Sequence, residues 1–398
     1  MGDLRLVRIK EGRLLLEVPD IAFYSRGPRP EPAWAPVFYN PRMKLSRDIS
    51  IALVEAYAKF SGRSDLSVCE PLSATGVRGL RYVAEVEQVG EVVLNDKNAL
   101  AYRLELRNTS LNGLEQRVKV YNRDVRALLY ELAEEGVRFD VVDIDPFGTP
   151  APFVEAAVST LKHGGMLCVT ATDLAPLFGV HPSACLRKYS AVPLNSEFSK
   201  EVGARILASF VIREAAKLNL AAVPLYTFLA LHSLRIAFLV YKSKSKARKL
   251  VEGLGFLVYC RQCLYRSFAG GLRCVSRSCP FCGLEDHVAV SGPLWVGDLW
   301  NTEFTKIVRE CYESRSYLDR RGLKLTKLVE EEADKPPLYT TVSAFAKLAK
   351  IPDEPSPRSI VERVRAMGGR ASLTHFESKG FRSSLQPKEL LEALRECF

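Results

Sequence analysis

The segment FDVVDIDPFG places Asp145, Pro146, Phe147 and Gly148 at the carboxyl end of an apolar run that reads as a buried strand. A carboxylate held there can accept a hydrogen bond from the N–H of an exocyclic aromatic amine, favour pyramidalisation of the nitrogen, and take its proton as a new bond to nitrogen forms. That help is needed because the lone pair of such an amine is delocalised into its ring. Phe147 offers a face on which an extruded base can stack, and the intervening proline fixes both directions. Asp143 alternates to the other side of the sheet from its neighbours and suits the role less well. The same residues also suit a plain turn opened by Asp-Pro, with Phe147 in the core.

Three further groups on neighbouring strand ends suit a nucleoside. In CEPLSATGVRGLR, small residues with Gly76 and Gly79 let the backbone turn tightly beside a ligand, although the full G-x-G-x-x-G is missing. Asp96, about 20 residues downstream after the next strand, can accept from a ribose diol. Asp124, in VYNRDVRA, can accept from an adenine amine. Each acid taken alone also suits a helix N-cap, and the glycine turn also suits a strand-to-helix connection with no ligand.

Of 10 cysteines, Cys69, Cys168, Cys185, Cys311 and Cys397 are scattered, whereas Cys260, Cys263, Cys274, Cys279 and Cys282 are clustered. The pairs Cys260-x2-Cys263 and Cys279-x2-Cys282 can present four thiolates tetrahedrally, the arrangement of a structural zinc with no open position. Cys274 belongs to neither pair and stands as a possible competitor. Arg261, Arg266, Arg273 and Arg277 surround the cluster and suit either an RNA backbone or a solvated rim. Cys185 reads as structural, because transfer to an amine needs no covalent adduct.

The elements that must position these groups alternate between residues 66 and 171. LSVCE, EVVLN, RVKVY, FDVVDID and GGMLCVTAT read as strands, and the stretches between them have the spacing of crossover helices. This predicts an α/β, doubly wound parallel sheet with ligands at the carboxyl ends of its strands. LRIAFLVY at 234–241 adds an edge strand after helices at about 197–219. Upstream, LVRIKEGRLLLEV reads as a hairpin, Pro28, Pro30, Pro32, Pro36 and Pro41 extend the chain, and SRDISIALVEAYAKF is a helix with Ser46 as its N-cap. KSKSKARK at 242–249 reads as a solvated linker or a phosphate-facing loop. Helices at 301–317, 341–349 and 359–367 follow, separated by proline breaks at 336–337 and 352–357.

Length and charge bound the reading. The 398 residues predict two domains, with the boundary near residue 245: 1–245, including an N-terminal extension over 1–65, and 246–398. Lys plus Arg number 56 against 46 acidic residues, a net +10 that favours a polyanionic partner, nucleic acid first, or belongs to an ordinary basic enzyme. No apolar run approaches a membrane span, and charged residues occupy the start, so the expectation is a cytoplasmic protein.

The combination FYNPRMKLSRD, LSATGVRGLR, LNDKNA, NRDVR, DIDPFGTP and TATDLAPLFG resembles the tRNA (guanine-26, N2)-dimethyltransferase family over most of the chain. The resemblance implies a Rossmann-like class I methyltransferase domain followed by a smaller α+β tRNA-docking domain with a zinc ribbon. It implies S-adenosyl-L-methionine as methyl donor, tRNA as partner and one or two methyl groups placed on guanine N2. Carried over residue by residue, Arg47 and Arg78 hold the methionine end of the donor, Asp96 its ribose, and Asp124 with Val125 its adenine. Asp145 becomes the catalytic carboxylate beside Phe147. Asp173 and Pro176 fall on a family segment that walls the base pocket, or else on an ordinary strand-exit loop. RASLTHFESKGFRSS matches the family's C-terminal segment but has Arg382-Ser383 where the family has Lys-Thr, and His375 reads as structural or as an RNA contact. Two readings stay open beside this one: an amino-methyltransferase acting on adenine N6 or guanine N2 of another RNA or DNA, and a noncatalytic RNA-binding protein on the same scaffold. A nicotinamide enzyme lacks its glycine fingerprint. No obligatory protein partner is evident.

Overall fold

The alternation in LVRIKEGRLLLEV folds as an antiparallel hairpin, β1 (Leu6–Glu11) and β2 (Leu14–Pro19), turned at Gly12 with φ of 58°. The structure, a computed structural model, describes residues 4–27, 30–350, 354–385 and 389–391. Pro28, Cys397 and the start of the 352–357 break lie outside the described residues. A single turn, α1 (Ile21–Tyr24), and two 3-10 turns, Pro32–Trp34 and Pro41–Met43, lead to α2 (Lys44–Ser61). Ser46 lies inside α2 and does not cap it. Pro41, with φ preset, opens a 3-10 turn capped by the Asn40 side chain, which accepts from the Arg42 N–H, and α2 continues directly from that turn.

The five expected strands form in order: β3 (Leu66–Glu70), β4 (Val89–Asn95), β5 (Val118–Tyr121), β6 (Phe139–Ile144) and β7 (Leu161–Ala171). Between them run α3 (Val77–Glu85), α4 (Ala99–Leu111), α5 (Val125–Glu134) and α6 (Val154–Ser159). The chain then continues through α7 (Leu174–Leu177), α8 (Pro182–Tyr189), α9 (Ser199–Lys217), β8 (Leu220–Ala230), β9 (Ser233–Lys242) and α10 (Lys244–Glu252). Next come β10 (Leu254–Cys260), β11 (Arg266–Ala269), β12 (Val288–Trp295), α11 (Thr302–Glu313) and α12 (Arg320–Glu332). The last described elements are β13 (Thr340–Thr341), α13 (Val342–Ala349), α14 (Pro357–Ala366), β14 (Ala371–Leu373) and β15 (Gly380–Ser383).

These elements divide into two compact units: Met1–Ala171 with Ala237–Lys242 and Lys306–Thr326, and Thr172–Ile236 with Ser243–Thr305 and Lys327–Phe398. The passage after 242 lies beside the boundary expected near 245; the chain also passes between units after 171, 236, 305 and 326.

In the first unit the parallel strands stand in the order β5-β4-β3-β6-β7, followed by β9, which pairs on its other side with the preceding strand β8, so LRIAFLVY is an inner strand and not the edge the sequence predicts. The chain winds outward from β3 in one direction and from β6 in the other. Right-handed crossovers therefore place helices on opposite faces and open a crevice at the carboxyl ends of β3 and β6, where the order reverses. The strands are buried almost throughout, and α2 is buried on nearly every side, which is why its charged residues must be paired.

In the second unit β10 sits between β11 and β12 in an antiparallel three-stranded sheet. The basic run expected as a linker is α10, capped by Ser243, which accepts from the Lys246 N–H, and packed through Ala247 against β8 and α9. Arg382 is buried: Nε donates to Glu332 Oε2 at 2.7 Å, and Nη2 pairs with Glu201 Oε2 at 2.9 Å. Glu332 also accepts from the Thr374 hydroxyl at 2.7 Å and the His375 N–H at 2.8 Å, and contacts His375 Nδ1. Arg382 and His375 are thus structural, holding β14 and β15 to α9 and α12, and no phosphate contact arises from Arg382.

Candidate active site and metal centre

Carboxyl groups and amide donors gather at the ends of β3, β4 and β6. At β3, Glu70 turns under the first turn of α3 and accepts from the Gly79 N–H at 2.7 Å, capping that helix from a neighbouring element. Gly79 is required by this closeness, since a Cβ there would lie 2.5 Å from a Leu94 methyl and 2.9 Å from Glu70 Oε2. Burial pushes the Glu70 carboxyl up to about 8, against the opposing pull of Arg78, so it is largely protonated at neutral pH. Beneath the Ser73–Gly76 turn, Glu105 accepts from the Ser73 hydroxyl at 2.7 Å, and burial pushes it up to about 9.

Arg78, on the first turn of α3, is the hub of the site. It is buried, its Nη1 donates to Ser50 Oγ at 2.6 Å, and its Nη2 donates to Asp145 Oδ2. Nε lies 3.7 Å from Glu70 and 3.9 Å from Asp143. Asp143 is buried and accepts from the Tyr82 hydroxyl at 2.5 Å; two residues from Asp145, it shares that residue's side of the sheet, and depth within the strand rather than alternation separates the two. Asp145, one residue past β6, reaches the sheet edge instead.

Phe147 is 82% exposed, the opposite of a core residue. It lines a cleft of about 330 Å³ with Asp96, Ala74, Asn98, Val37 and Phe38. Phe38 meets Phe147 edge to face, with ring centroids 5.9 Å apart. The carboxylate of Asp96 accepts from the Ala74 N–H at 3.1 Å and the Asn98 N–H at 2.8 Å, which ties the first strand-end turn to the second. The structure therefore brings Asp96 and Phe147 to one cleft and pairs Arg78 with Asp145.

Two further predicted residues make contacts within the protein. Asp124 caps α5, accepting from the N–H groups of Arg126 and Ala127 at 3.0 and 3.3 Å, with 54% of its side chain exposed, while Val125 is buried. Arg47 pairs with neither Asp48 nor a helix end. It grips Glu11 with two parallel bonds of 2.7 Å and donates to the Asn40 carbonyl at 3.2 Å. Glu11 also accepts from Arg81 Nη1 at 3.1 Å and the Tyr39 hydroxyl at 2.9 Å. Burial would raise its carboxyl, but Arg47, Arg81 and Tyr39 outweigh that and hold it at about 2. Arg81 in turn binds Asp48 at 2.7 Å and Glu85 at 2.7 Å.

Glu70 escaped the sequence reading although it ends a strand as Asp145 nearly does. The same strand-end rule picks it out. Glu11 and Phe38 left no such signal, because their places depend on segments that meet only in the fold.

Asp173 accepts from Lys188 Nζ at 2.8 Å and the Tyr189 hydroxyl at 2.7 Å, and makes no cap to its own short helix. Cys185 is buried and its thiol is pushed up to about 12 by burial, which suits a structural residue.

In the second unit the Sγ atoms of Cys260, Cys263, Cys279 and Cys282 all lie within 4.8 Å of one another. Cys260 and Cys282 are 3.8 Å apart, and Cys263 and Cys279 3.6 Å. Four thiolates at a Zn–S length of about 2.3 Å stand about 3.8 Å apart in a tetrahedron, so the donor set fits zinc. Each C-x2-C turn closes on itself, Leu264 N–H to the Cys260 carbonyl at 3.0 Å and Gly283 N–H to the Cys279 carbonyl at 2.9 Å. Cys274 is exposed and outside the cluster. Of the flanking arginines, Arg266 donates to the Tyr339 carbonyl and Arg261 to that of Asn195, while Arg273 and Arg277 are exposed.

No helix among the described residues is long and apolar enough to cross a membrane. Residues 16–395 match the family model described as N2,N2-dimethylguanosine tRNA methyltransferase. The chain is 35% identical over 390 residues to the tRNA (guanine(26)-N(2)/guanine(27)-N(2))-dimethyltransferase of Aquifex aeolicus, covering 98% of this chain and 95% of that one. It is 36% identical over 395 residues to the tRNA (guanine(26)-N(2))-dimethyltransferase of Saccharolobus solfataricus, covering 98% and 99%. The structure of Trm1 from Pyrococcus horikoshii in complex with S-adenosyl-L-methionine is similar over 98% of this chain and 99% of its own, with a TM-score of 0.81 and 30% identity. With the doubly wound sheet, the cleft and the full-length match together, this chain belongs to the N2,N2-dimethylguanosine tRNA methyltransferase family.

Proposed function

We propose that this protein transfers methyl groups from S-adenosyl-L-methionine to the N2 amine of guanine in tRNA, at position 26 as its relatives' names state. The observation that carries the reading is Phe147, 82% exposed at a cleft, two residues from a carboxylate at the reversal point of the sheet. An exposed aromatic ring two residues from a carboxylate gives an extruded base a face on which to stack within reach of that acid.

The methyl donor, when bound, supplies an activated electrophilic methyl group. Asp96 binds its ribose, Asp124 and Val125 its adenine, and Arg47 and Arg78 its methionine end; Arg47 must share its guanidinium with Glu11. Asp145, steadied by Arg78, accepts a hydrogen bond from the guanine N2–H and receives the proton as nitrogen takes the methyl. Phe147 stacks on the extruded base, with Phe38 bracing its ring from the edge. Holding amine and methyl in line supplies much of the rate, because the donor is already activated. Cys260, Cys263, Cys279 and Cys282 hold a structural zinc. Residues 246–398 serve tRNA docking, and the protein acts in the cytoplasm.

The test is incubation with isotopically labelled S-adenosyl-L-methionine and an unmodified tRNA transcript, followed by digestion and mass spectrometry of the nucleosides. N2-methylguanosine or its dimethyl form is the expected product. Methyladenosine would keep the Asp145 chemistry and overturn the substrate. Absence of donor binding by calorimetry would overturn the enzyme.

A further inference from the structure

The wall of the cleft continues outward into a surface that the reaction itself does not use. Ala33, Ala35 and Pro36 line the cleft beside Phe147. Trp34, between the first two of them, is absent from the lining and 50% exposed. The Arg26 guanidinium lies over its ring at 4.7 Å from the centroid. A second pair of the same kind stands next to it, Arg5 over Phe23 at 4.6 Å, with Phe23 55% exposed. The two pairs form one surface, because α1, which carries Phe23, packs on the Pro32–Trp34 turn, and the Ser25 hydroxyl accepts from the Glu31 N–H at 2.8 Å.

Two large aromatic rings left half open, each overlaid by a guanidinium, present π faces and positive charge side by side. They are well suited to single-stranded RNA. A base stacks on the open part of an indole or phenyl ring, and arginine meets both the adjoining phosphate and the π face. Position adds a further constraint. A nucleotide extruded into the cleft drags its neighbours out of their stack, and the 33–36 wall, with Trp34 in it, borders the cleft such a nucleotide would enter.

We propose that Trp34 with Arg26, assisted by Phe23 with Arg5, is a stacking subsite for an unpaired nucleotide adjacent to the one held in the cleft. Trp34 takes the base and Arg26 takes a flanking phosphate, while Arg5, whose Nε is ion-paired with Asp20 at 3.1 Å, adds positive charge beside it. The subsite favours the extruded conformation of the RNA by giving the displaced neighbour a new stacking partner. This inference rests on the proposed RNA substrate.

The experiment uses the full chain and an unmodified tRNA transcript, with wild type, Trp34→Ala, Trp34→Phe and Arg26→Ala. Binding is followed by tryptophan fluorescence and by filter retention, and donor affinity by calorimetry. Trp34→Ala is expected to weaken tRNA binding about 10-fold, with donor affinity unchanged, and Trp34→Phe to restore most of the loss. RNA-induced quenching of fluorescence is expected to fall sharply in Trp34→Phe, because the stacked indole is gone. Equal tRNA affinity and equal quenching in wild type and the Trp34 variants would overturn the subsite. So would a matching loss of donor affinity, which would mark Trp34 as a structural support of the cleft, or a dimer that Trp34→Ala dissociates without a change in RNA affinity. Wild-type protein that binds tRNA and shows the Trp34-dependent quench, yet methylates no guanine, would overturn the proposed reaction and leave the subsite standing.

Discussion

Arg78 reaches from the first turn of α3 to the end of β6, where its Nη2 donates to Asp145 Oδ2, while its Nη1 is anchored on Ser50 Oγ at 2.6 Å. The carboxylate is thus directed by a buried guanidinium whose own position is fixed by α2. Asp145→Asn keeps an oxygen for Arg78 but cannot take a proton. Methyl transfer under single-turnover conditions is expected to fall by roughly 100-fold or more, the scale of general base catalysis, with donor affinity within a few-fold of wild type. Wild-type turnover in that variant would remove Asp145 from the mechanism.

The contrast between Asp145 and Arg47 shows which features a sequence carries. The strand periods, the helix between each pair and the acids after β4, β5 and β6 follow from local spacing, and all appear where spacing puts them. Asp145 and Phe147 were legible because a strand end fixes where its side chains go. Arg47 was not, because its partner Glu11 lies on a hairpin 36 residues away and no period links the two. The start of α2 was missed for a local reason, a proline-initiated 3-10 turn upstream of Ser46. The basic run at 242–249 misled in the other direction: its charges line the solvent side of α10, and the single buried residue, Ala247, is too weak a signal to reveal the helix.

Glu70 makes stability depend on pH in a direction opposite to most carboxylates. Its folded value of about 8 stands above the ordinary 4.5, so the folded state binds more protons between those values. The stabilisation is complete below about 4.5 and is lost as pH rises through 8. Glu70→Gln imitates the protonated acid and can still accept from the Gly79 N–H. Its unfolding free energy, from denaturant titration, is expected to rise relative to wild type between pH 5 and pH 8.5, by an amount on the order of a few kcal/mol at most. A difference that stays constant across that range would show that Glu70 is ionised throughout.

The cysteine cluster predicts a metal that folding depends on. With Sγ pairs 3.6 and 3.8 Å apart, Cys260→Ser or Cys279→Ser removes one of four thiolates from a tetrahedral set. Zinc content by elemental analysis is expected to fall well below one per chain, with a lower melting temperature, whereas Cys274→Ser is expected to leave both unchanged. Full zinc retention in the first two variants would remove the cluster as a metal site.

Glu11 offers the complementary pH test. It satisfies two buried guanidinium groups, Arg47 and Arg81, and its carboxyl is held at about 2 against an ordinary 4.5. A depressed carboxyl contributes stability above the unfolded value and loses it as pH falls, here through the window from 4.5 to 2. Glu11→Gln leaves Arg47 short of a counter-charge in a dry site, while Arg81 keeps Asp48 and Glu85, and is expected to cost about 3–5 kcal/mol at pH 7, the scale of a broken buried ion pair. By pH 3 the difference from wild type is expected to shrink, since the wild-type carboxylate is then being protonated in the unfolded chain. Parallel urea denaturation of the two proteins at pH 7, 5 and 3 checks both the size and the trend. A cost below about 1 kcal/mol at pH 7 would mean that solvent, rather than Glu11, satisfies Arg47.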